Sequence, residues 1–363
     1  MKIAVITLHR VYNYGSVLQA YATQRVLEKR GHEVTIIDYV TPQRTKWRLF
    51  WSTGSGGQRS LFYRTAKIIS FVLKEMTFGR FVRRKINLSK KYITSDDLCK
   101  DIPIADLYVT GSDQTWNSQY NEGVDRGFFL DFLPENARRI SFVSSFGKTL
   151  LDDSEVYLTK KYLSRYEKIS VREDSAVSII DKMCLDTPIQ LIDPTLMLEK
   201  EEWLKITSPR LLKERYLILM LLYNEDNHAT EYARRIADDK GLKLVKLSWE
   251  MKKPELVDKL YTHRSPSDFL SLFYYADFVV TNSFHGLAFS INLEKPFVVV
   301  PRNEFNSRIE SLLRLVGLSD RLISNSKELT AIENKRINYT AVNEIVDFER
   351  KKVKLFLDSI EGL

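Results

Sequence analysis

The chain has few of the residues that build disulfide frameworks, metal clusters or membrane spans. Only Cys99 and Cys184 are cysteines, and two distant thiols give neither a disulfide framework nor a zinc-ligand cluster. The five histidines argue against a histidine-rich metal site. No apolar run approaches the roughly 20 residues of a membrane-spanning helix. The opening MKIAVI is typical of a buried strand rather than a secretory signal, so we expect a cytoplasmic protein.

The length and the order of apolar segments indicate two α/β domains. A chain of 363 residues is long for one domain, and its 44% hydrophobic content is enough for large cores. Apolar strands alternate with helical stretches in both halves, which predicts parallel sheets covered by helices. The strands are expected in two groups, at 2–8, 33–39, 106–110, 139–145, 168–171 and 189–192, then at 216–222, 242–247, 277–281 and 296–300.

We therefore predict two consecutive Rossmann-like domains that face a cleft. The first covers residues 1–200 and carries a basic insertion at 41–91, and the second covers 210–335. A C-terminal helix follows within 336–363. Open α/β sheets bind ligands beyond the carboxyl ends of their strands, and four loops with chemically useful side chains lie at such ends.

The first loop follows the opening strand and contains Asn13, Tyr14, Gly15 and Ser16, with Gln19 one helical turn later. Gly15 allows a tight turn, and the free amides at the helix start can bind an anion. This interpretation makes all five residues part of a substrate site. The alternative is an ordinary strand-to-helix turn with Ser16 as the helix cap.

The second loop combines a tight turn, a carboxylate, amides and an indole in seven residues: Gly111, Ser112, Asp113, Gln114, Thr115, Trp116 and Asn117. Asp113 can accept a proton from a sugar hydroxyl, and Trp116 can stack on a sugar ring. The alternative makes Asp113 a helix cap and Trp116 part of the core.

The third and fourth loops supply a cation and a proton donor. Arg172 lies just past the strand at 168–171, where its guanidinium can bind a carboxylate or phosphate, or form a salt bridge to Glu173 or Asp174. His285 follows the strand at 277–281, and an imidazole there suits proton transfer near neutral pH. A purely structural histidine is the alternative, whereas His9 and His263 lack such a setting. The fourth loop comprises Asn282, Ser283, Phe284, His285 and Gly286.

These motifs, together with Asp193, Pro194 and Thr195, stand in the order found in the polysaccharide pyruvyltransferase family. The chain resembles that family over roughly residues 3–316. The resemblance implies a fold like that of GT-B glycosyltransferases, with the acceptor on the N-terminal side and the donor on the C-terminal side. It also implies phosphoenolpyruvate as co-substrate, with no cofactor or metal. The product is a pyruvate ketal on a sugar, expected on a lipid-linked precursor of a bacterial capsule or exopolysaccharide.

The resemblance also assigns roles to single residues. His285 matches the family's histidine, the general acid, and Arg172 matches an arginine that holds the anionic donor. Asp113 lies where an acidic residue near the donor is expected. Several members carry an arginine two residues before the histidine, where this chain has Ser283. We expect Arg302 or Arg308 to supply the missing cationic contact.

Two other functions remain open at the sequence level. The first is a glycosyltransferase that uses a nucleotide-sugar, although no convincing acidic ligand for a ribose is found in the second half. The second is a non-catalytic carbohydrate-binding or membrane-surface protein that kept the fold.

The positive charge is concentrated in one segment. Thirteen Lys or Arg but only one acid, Glu75, lie between Thr41 and Lys91, which exceeds the net charge of +8 and leaves the remaining chain net acidic. One helical face there is apolar: Leu61, Phe62, Thr65, Ile69, Val72, Leu73 and Met76. One interpretation is peripheral contact of residues 44–86 with the anionic inner face of a membrane. The alternative is an insertion whose apolar face packs on the first domain. Nucleic acid is not expected, because no recognition motif accompanies the charge.

Overall fold

The computed structural model describes residues 1–41, 61–222, 227–249, 252–302, 306–323 and 334–361. The chain divides into two compact units, Met1–Pro194 and Thr195–Leu363, which we call the first and second domains. The C-terminal helix belongs to the second domain. Residues 44–60, the first part of the segment predicted to contact a membrane, lie outside the described residues.

The first domain is built on five parallel strands in the order β3-β2-β1-β4-β5. They are β1 (Lys2–Ile6), β2 (Glu33–Tyr39), β3 (Leu88–Tyr92), β4 (Leu107–Thr110) and β5 (Arg139–Ser141). The chain runs from β1 outward to β3 and then returns to β4 on the other side of β1. The carboxyl ends of β1 and β4 therefore form the switch point at which such sheets bind ligands.

Helices and a small sheet complete the first domain. The helices are α1 (Tyr14–Glu28), α2 (Leu61–Lys74), α3 (Arg80–Lys85), α4 (Ser95–Lys100), α5 (Ser118–Asn121), α6 (Asp153–Leu163) and α7 (Asp174–Lys182), with a π-helical turn (Glu75–Gly79) between α2 and α3. Strands β6 (Ser170–Val171) and β7 (Ile189–Gln190) pair in parallel. Val171 also bridges to Ser144, which places the loop after β6 near the loop after β5.

The second domain repeats the strand order of the first, as β10-β9-β8-β11-β12, all parallel. Its strands are β8 (Tyr216–Met220), β9 (Lys243–Leu247), β10 (Lys259–Tyr261), β11 (Phe278–Thr281) and β12 (Phe297–Val299). Its helices are α8 (Pro194–Met197), α9 (Lys200–Leu204), α10 (Asn227–Asp239), α11 (Pro266–Tyr274), α12 (Phe284–Asn292), α13 (Ser307–Leu315) and α14 (Tyr339–Glu361). The switch point here lies between β8 and β11.

The central strands are buried along their whole length because helices cover both faces of each sheet. Every residue of β4, β8 and β11 is buried, as expected for parallel sheets. Ser265 caps α11 in a capping box with Asp268, and Pro266 is the first residue of this helix. The strand predicted at 139–145 ends early, at Ser141, since Val143 has a φ of 62° that a strand cannot continue through.

The described side chains of α2 and the π-helical turn contradict the prediction that the apolar face packs on the first domain. Ile69, Val72, Leu73 and Met76 are exposed. The side chains of residues 61–67 lie outside the description. The contacts with the domain are made instead by the opposite face of this helix.

Candidate functional site

The loop after β4 holds Asp113 at the switch point of the first domain. Asp113 has a φ of 76°, a left-handed conformation in which its backbone bridges to Ser144. Its Oδ1 accepts the N–H of Gln114 at 2.9 Å, and its Oδ2 accepts a hydrogen bond from the Ser16 hydroxyl. Ser16 and Asp113, 97 positions apart in the chain, are thus brought together.

Arg172 lies at the centre of a buried carboxylate network. Its Nη1 is 2.7 Å from Asp193 Oδ2, and it also lies 3.6 Å from Asp113 and 3.8 Å from Glu173. Burial alone would lower the pKa of Arg172, but the three carboxylates outweigh that effect and raise it above its ordinary value. The predicted salt bridge to Glu173 is present, although the shortest contact is with Asp193.

This network joins the loops that follow four strands, β4, β5, β6 and β7. Ser112 donates to the same Asp193 oxygen at 2.9 Å, and Ser145 donates to Glu173 at 2.7 Å. The buried carboxylate of Asp193 therefore has a counter-charge from Arg172 and a hydrogen bond from Ser112. These contacts suit a residue that orients Asp113. Contact of Arg172 with an anionic donor stays a prediction.

Asn13 forms the cap of α1, and substrate binding by the loop before this helix stays a prediction. Asn13 Oδ1 accepts the N–H groups of Gly15 at 2.9 Å and Ser16 at 3.3 Å, so Asn13 caps the helix and uses the amides predicted to bind substrate. The alternative with Ser16 as the cap is therefore wrong. Tyr14 is buried against Phe78.

Gln19 and the glycine after β4 have structural contacts. Gln19 Nε2 donates to Thr7 Oγ1, Leu8 O and Ser16 O, which fixes the loop after β1. A Cβ on Gly111 would lie 2.9 Å from Thr7 Cβ, so only glycine permits the close approach of these two loops.

Trp116 belongs to the core rather than to a sugar-binding surface. Its ring stacks on Phe129 with centroids 5.5 Å apart and contacts Phe146, while its Nε1 donates to Phe128 O at 3.3 Å. Gln114 Oε1 accepts from Asn117 Nδ2 at 2.7 Å, and Asn117 caps α5. The prediction that the Trp116 ring stacks on a sugar is therefore wrong.

Sequence reasoning missed a pocket of about 200 Å³ beside β1 and β2 in the first domain. Its lining includes His9, Arg10, Tyr12, Glu75 and Lys91. The Tyr12 hydroxyl donates to Glu75 Oε2 at 3.1 Å. The signal available in the sequence was the pair His9 and Arg10, which directly follows the predicted strand at 2–8.

A buried ion cluster forms one wall of this pocket. Asp38, at the end of β2, accepts from His9 Nε2 at 2.9 Å and from Arg10 at 2.5 and 2.6 Å. His9 Nδ1 faces Thr7 O at 3.0 Å. Both ring nitrogens of His9 thus face oxygen atoms of the first domain.

The loop after β11 holds His285 at the switch point of the second domain. Ser283 caps α12, so His285 lies in the first helical turn, where the helix dipole is positive. Asn282 bonds both the N–H and the C=O of Leu222, which joins the ends of β11 and β8. A Cβ on Gly286 would lie 2.3 Å from Thr281 Oγ1, so glycine is needed for the turn.

Basic groups lie near this loop. The Arg308 guanidinium carbon is 5.7 Å from the centroid of the Phe284 ring, and the ring of His285 meets Phe284 edge-on at 5.2 Å. Arg302 follows β12, the neighbour of β11, and its backbone bonds the Asn306 side chain. Helix dipole, imidazole and guanidinium together favour a negatively charged ligand.

A family model for polysaccharide pyruvyl transferases matches residues 13–304. The chain belongs to this family. The match includes all four loops that the sequence singled out. Arg308 and the pocket residues before Asn13 lie just outside it.

Solved structures show the fold that this pyruvyl transferase family member shares. UDP-N-acetylglucosamine 2-epimerase from Rickettsia bellii is 12% identical, with a TM-score of 0.53 over 100% of this chain and 97% of that one. Glycosyltransferase SsfS6 from Streptomyces sp. SF2575, complexed with thymidine diphosphate, is 13% identical, with a TM-score of 0.50 over 97% and 96%. Both likenesses support a GT-B-like fold of two Rossmann-like domains. A search of curated proteins returned no match.

Proposed function

We propose that the protein transfers the pyruvyl group of phosphoenolpyruvate to two hydroxyls of a sugar in a lipid-linked polysaccharide precursor. Membership of the pyruvyl transferase family supports the reaction class. The observation that carries the donor assignment is His285 in the first turn of α12, with Arg308 beside Phe284. A proton donor within a positive field suits a small, strongly anionic substrate.

The proposed reaction has three chemical steps. Protonation of the methylene carbon of phosphoenolpyruvate builds positive charge at C2, which one sugar hydroxyl attacks. The bond from C2 to the phosphate oxygen breaks, and inorganic phosphate leaves. A second hydroxyl then closes the ketal at C2, so that two C–O bonds form, one breaks and the hydroxyl protons are released.

Each role falls to a residue whose surroundings suit it. His285 donates the proton to the methylene carbon. Asp113, fixed by Ser16 and by the Arg172 network, accepts a hydroxyl proton. We assign the acceptor sugar to the pocket beside Tyr12 in the first domain, where a ring and charged side chains are both available. Arg308 takes the place of the arginine absent at Ser283.

Arg308 provides a specific test of the donor site. We expect Arg308→Ala to raise the KM for phosphoenolpyruvate about 10- to 100-fold, because a charge-assisted contact contributes roughly 1.5–3 kcal/mol. Arg314→Ala, at an exposed position of the same helix, is the matched control and leaves KM unchanged. Steady-state phosphate release measures both variants, and an unchanged KM for Arg308→Ala would remove the assignment.

The function itself is tested by product analysis. The full chain is incubated with phosphoenolpyruvate and a panel of lipid-linked glycans. We expect phosphate release that depends on the glycan, and a product heavier than the glycan by one pyruvate less one water. Thermal shifts with nucleotide-sugars but not with phosphoenolpyruvate would favour a glycosyltransferase. Binding of glycans without turnover would favour a carbohydrate-binding protein.

A further inference from the structure

The helix α2 and its π-helical turn expose an aliphatic face to solvent. Ile68, Ile69, Val72, Leu73 and Met76 have exposed fractions between 38% and 55%. Their spacing by one, three and four residues places them along one side of the helix. A contiguous exposed patch of large aliphatic side chains is uncommon on a folded domain and marks an interaction surface.

The opposite face attaches the helix to the first domain through Tyr12. Phe71 and Phe78 meet the Tyr12 ring edge-on, at 6.0 and 6.2 Å between centroids. Lys74 Nζ lies 5.8 Å from the same ring, and Glu75 accepts the Tyr12 hydroxyl. The inward positions 71, 74, 75 and 78 follow helical spacing, so the orientation of the helix is fixed by four contacts. Its aliphatic side faces outward as a consequence.

The exposed face continues into a basic cluster. The helix α2, the π-helical turn and α3 follow one another without a break, and we call residues 61–85 the helical rod. Its last turns carry four exposed basic residues, Arg80, Arg83, Arg84 and Lys85. The only acid in this rod, Glu75, is engaged by Tyr12 and by Arg83 at 3.4 Å. The surface therefore combines aliphatic side chains with a net positive charge.

We propose that this face, residues 68–85, docks on an anionic membrane surface. Aliphatic side chains gain by entering the boundary between headgroups and acyl chains, and each nearby Lys or Arg gains from the negative surface potential. Among the described residues, no helix is long and apolar enough to cross a membrane. The proposed docking is peripheral. A second copy of the chain fits the face poorly, because a symmetric dimer would bring two basic clusters together.

The pocket in the first domain lies on the inner side of the helix whose outer side forms the docking face. Glu75, Phe78 and Gly79, on the inner side of the rod, line the pocket whose other wall holds Arg10 and Tyr12. If the proposed function is correct, a membrane-docked rod brings the sugar of a lipid-linked acceptor to this pocket. The docking itself does not depend on that function.

The test is flotation of the full chain with vesicles of equimolar phosphatidylcholine and phosphatidylglycerol, compared with vesicles of phosphatidylcholine alone. We expect binding to the anionic vesicles only. Val72→Asp/Met76→Asp lowers the partition coefficient at least about tenfold, because two charges replace aliphatic groups at the interface. Arg83→Ala/Arg84→Ala lowers it about fivefold for each charge removed.

Two controls separate docking from a general effect of charge or folding. Phe348→Asp/Leu355→Asp changes apolar residues on α14 that are even more exposed than Val72 and Met76, and it leaves the partition coefficient unchanged. Circular dichroism and the melting temperature of each variant check the fold, and Val72→Ser/Met76→Ser replaces the aspartate variant should that fail to fold.

Three outcomes would overturn the proposal. They are no binding of the wild type to anionic vesicles, equal binding of Val72→Asp/Met76→Asp, or a dimer in size-exclusion chromatography that this variant dissociates. Vesicles without any glycan are used, and pyruvyl transfer is assayed separately in the absence of lipid. Failure of docking is thereby distinguished from failure of the proposed reaction.

Discussion

At the scale of single residues, the structure shows that some side chains predicted to bind substrate stabilise the loops that carry them. Asn13, Gln19 and Trp116 were predicted to bind substrate, but their contacts are with backbone or core. A sequence shows that an indole lies in a loop, but it does not show that Phe129 and Phe146 lie beside it. His9 was overlooked for the same reason, since its partner Asp38 is 29 positions away.

The structural role of Arg172 can be tested by the stability of a variant that lacks its charge. We expect Arg172→Met to lower the free energy of unfolding by about 3–5 kcal/mol, because three buried carboxylates lose their counter-charge. Arg138→Met removes an exposed pair with Glu167 and changes the stability by about 1 kcal/mol or less. Urea denaturation measures both. A stable Arg172→Met variant with weakened binding of phosphoenolpyruvate would show instead that Arg172 contacts the donor.

At the scale of elements, the positions of strands and helices followed from the sequence more reliably than their lengths. Alternating apolar and helical segments are local signals, and they predicted every strand of the second sheet except β10. The ends of β5 and β6 depend on backbone turns such as that at Val143, which no periodicity records. The helix α2 was predicted correctly as amphipathic. The sequence left two orientations of its apolar face open, and the attachment through Tyr12 directs that face outward.

The stabilisation that the Asp38 carboxylate gives to the first domain depends on pH. Burial tends to raise the pKa of Asp38, but hydrogen bonds from His9 and Arg10 outweigh it and hold that pKa well below its usual range. A depressed folded-state pKa means that the stabilisation is present above the unfolded-state pKa of about 3.9 and is lost as the pH falls further.

We therefore expect Asp38→Asn to lower the free energy of unfolding by about 2–4 kcal/mol at pH 7. The difference from the wild type shrinks as the pH falls below about 4. Urea denaturation across this range measures it, with the exposed Asp153→Asn as the control. A difference that stays constant with pH would contradict the role of the Asp38 carboxylate.

At the scale of the whole molecule, the two sheets have the same strand order, and each holds a loop of candidate site residues at its switch point. The sequence predicted this arrangement because the same βα alternation occurs twice, and because the four loops occur in the order of a known family. The side-chain partners that fix each loop come from distant parts of a domain, such as Ser16 with Asp113 and Asn282 with Leu222. Those pairings are a property of the fold and could not be deduced from spacing.

The most direct measurement is the turnover of His285→Asn with phosphoenolpyruvate and an accepted glycan, together with the affinity of the variant for phosphoenolpyruvate by calorimetry. Asparagine keeps hydrogen-bonding capacity but cannot donate a proton to carbon. The account predicts a kcat lower by about 10²–10⁴, with binding and melting temperature close to those of the wild type. A variant that turns over at nearly the normal rate would contradict the assignment of His285 as the general acid.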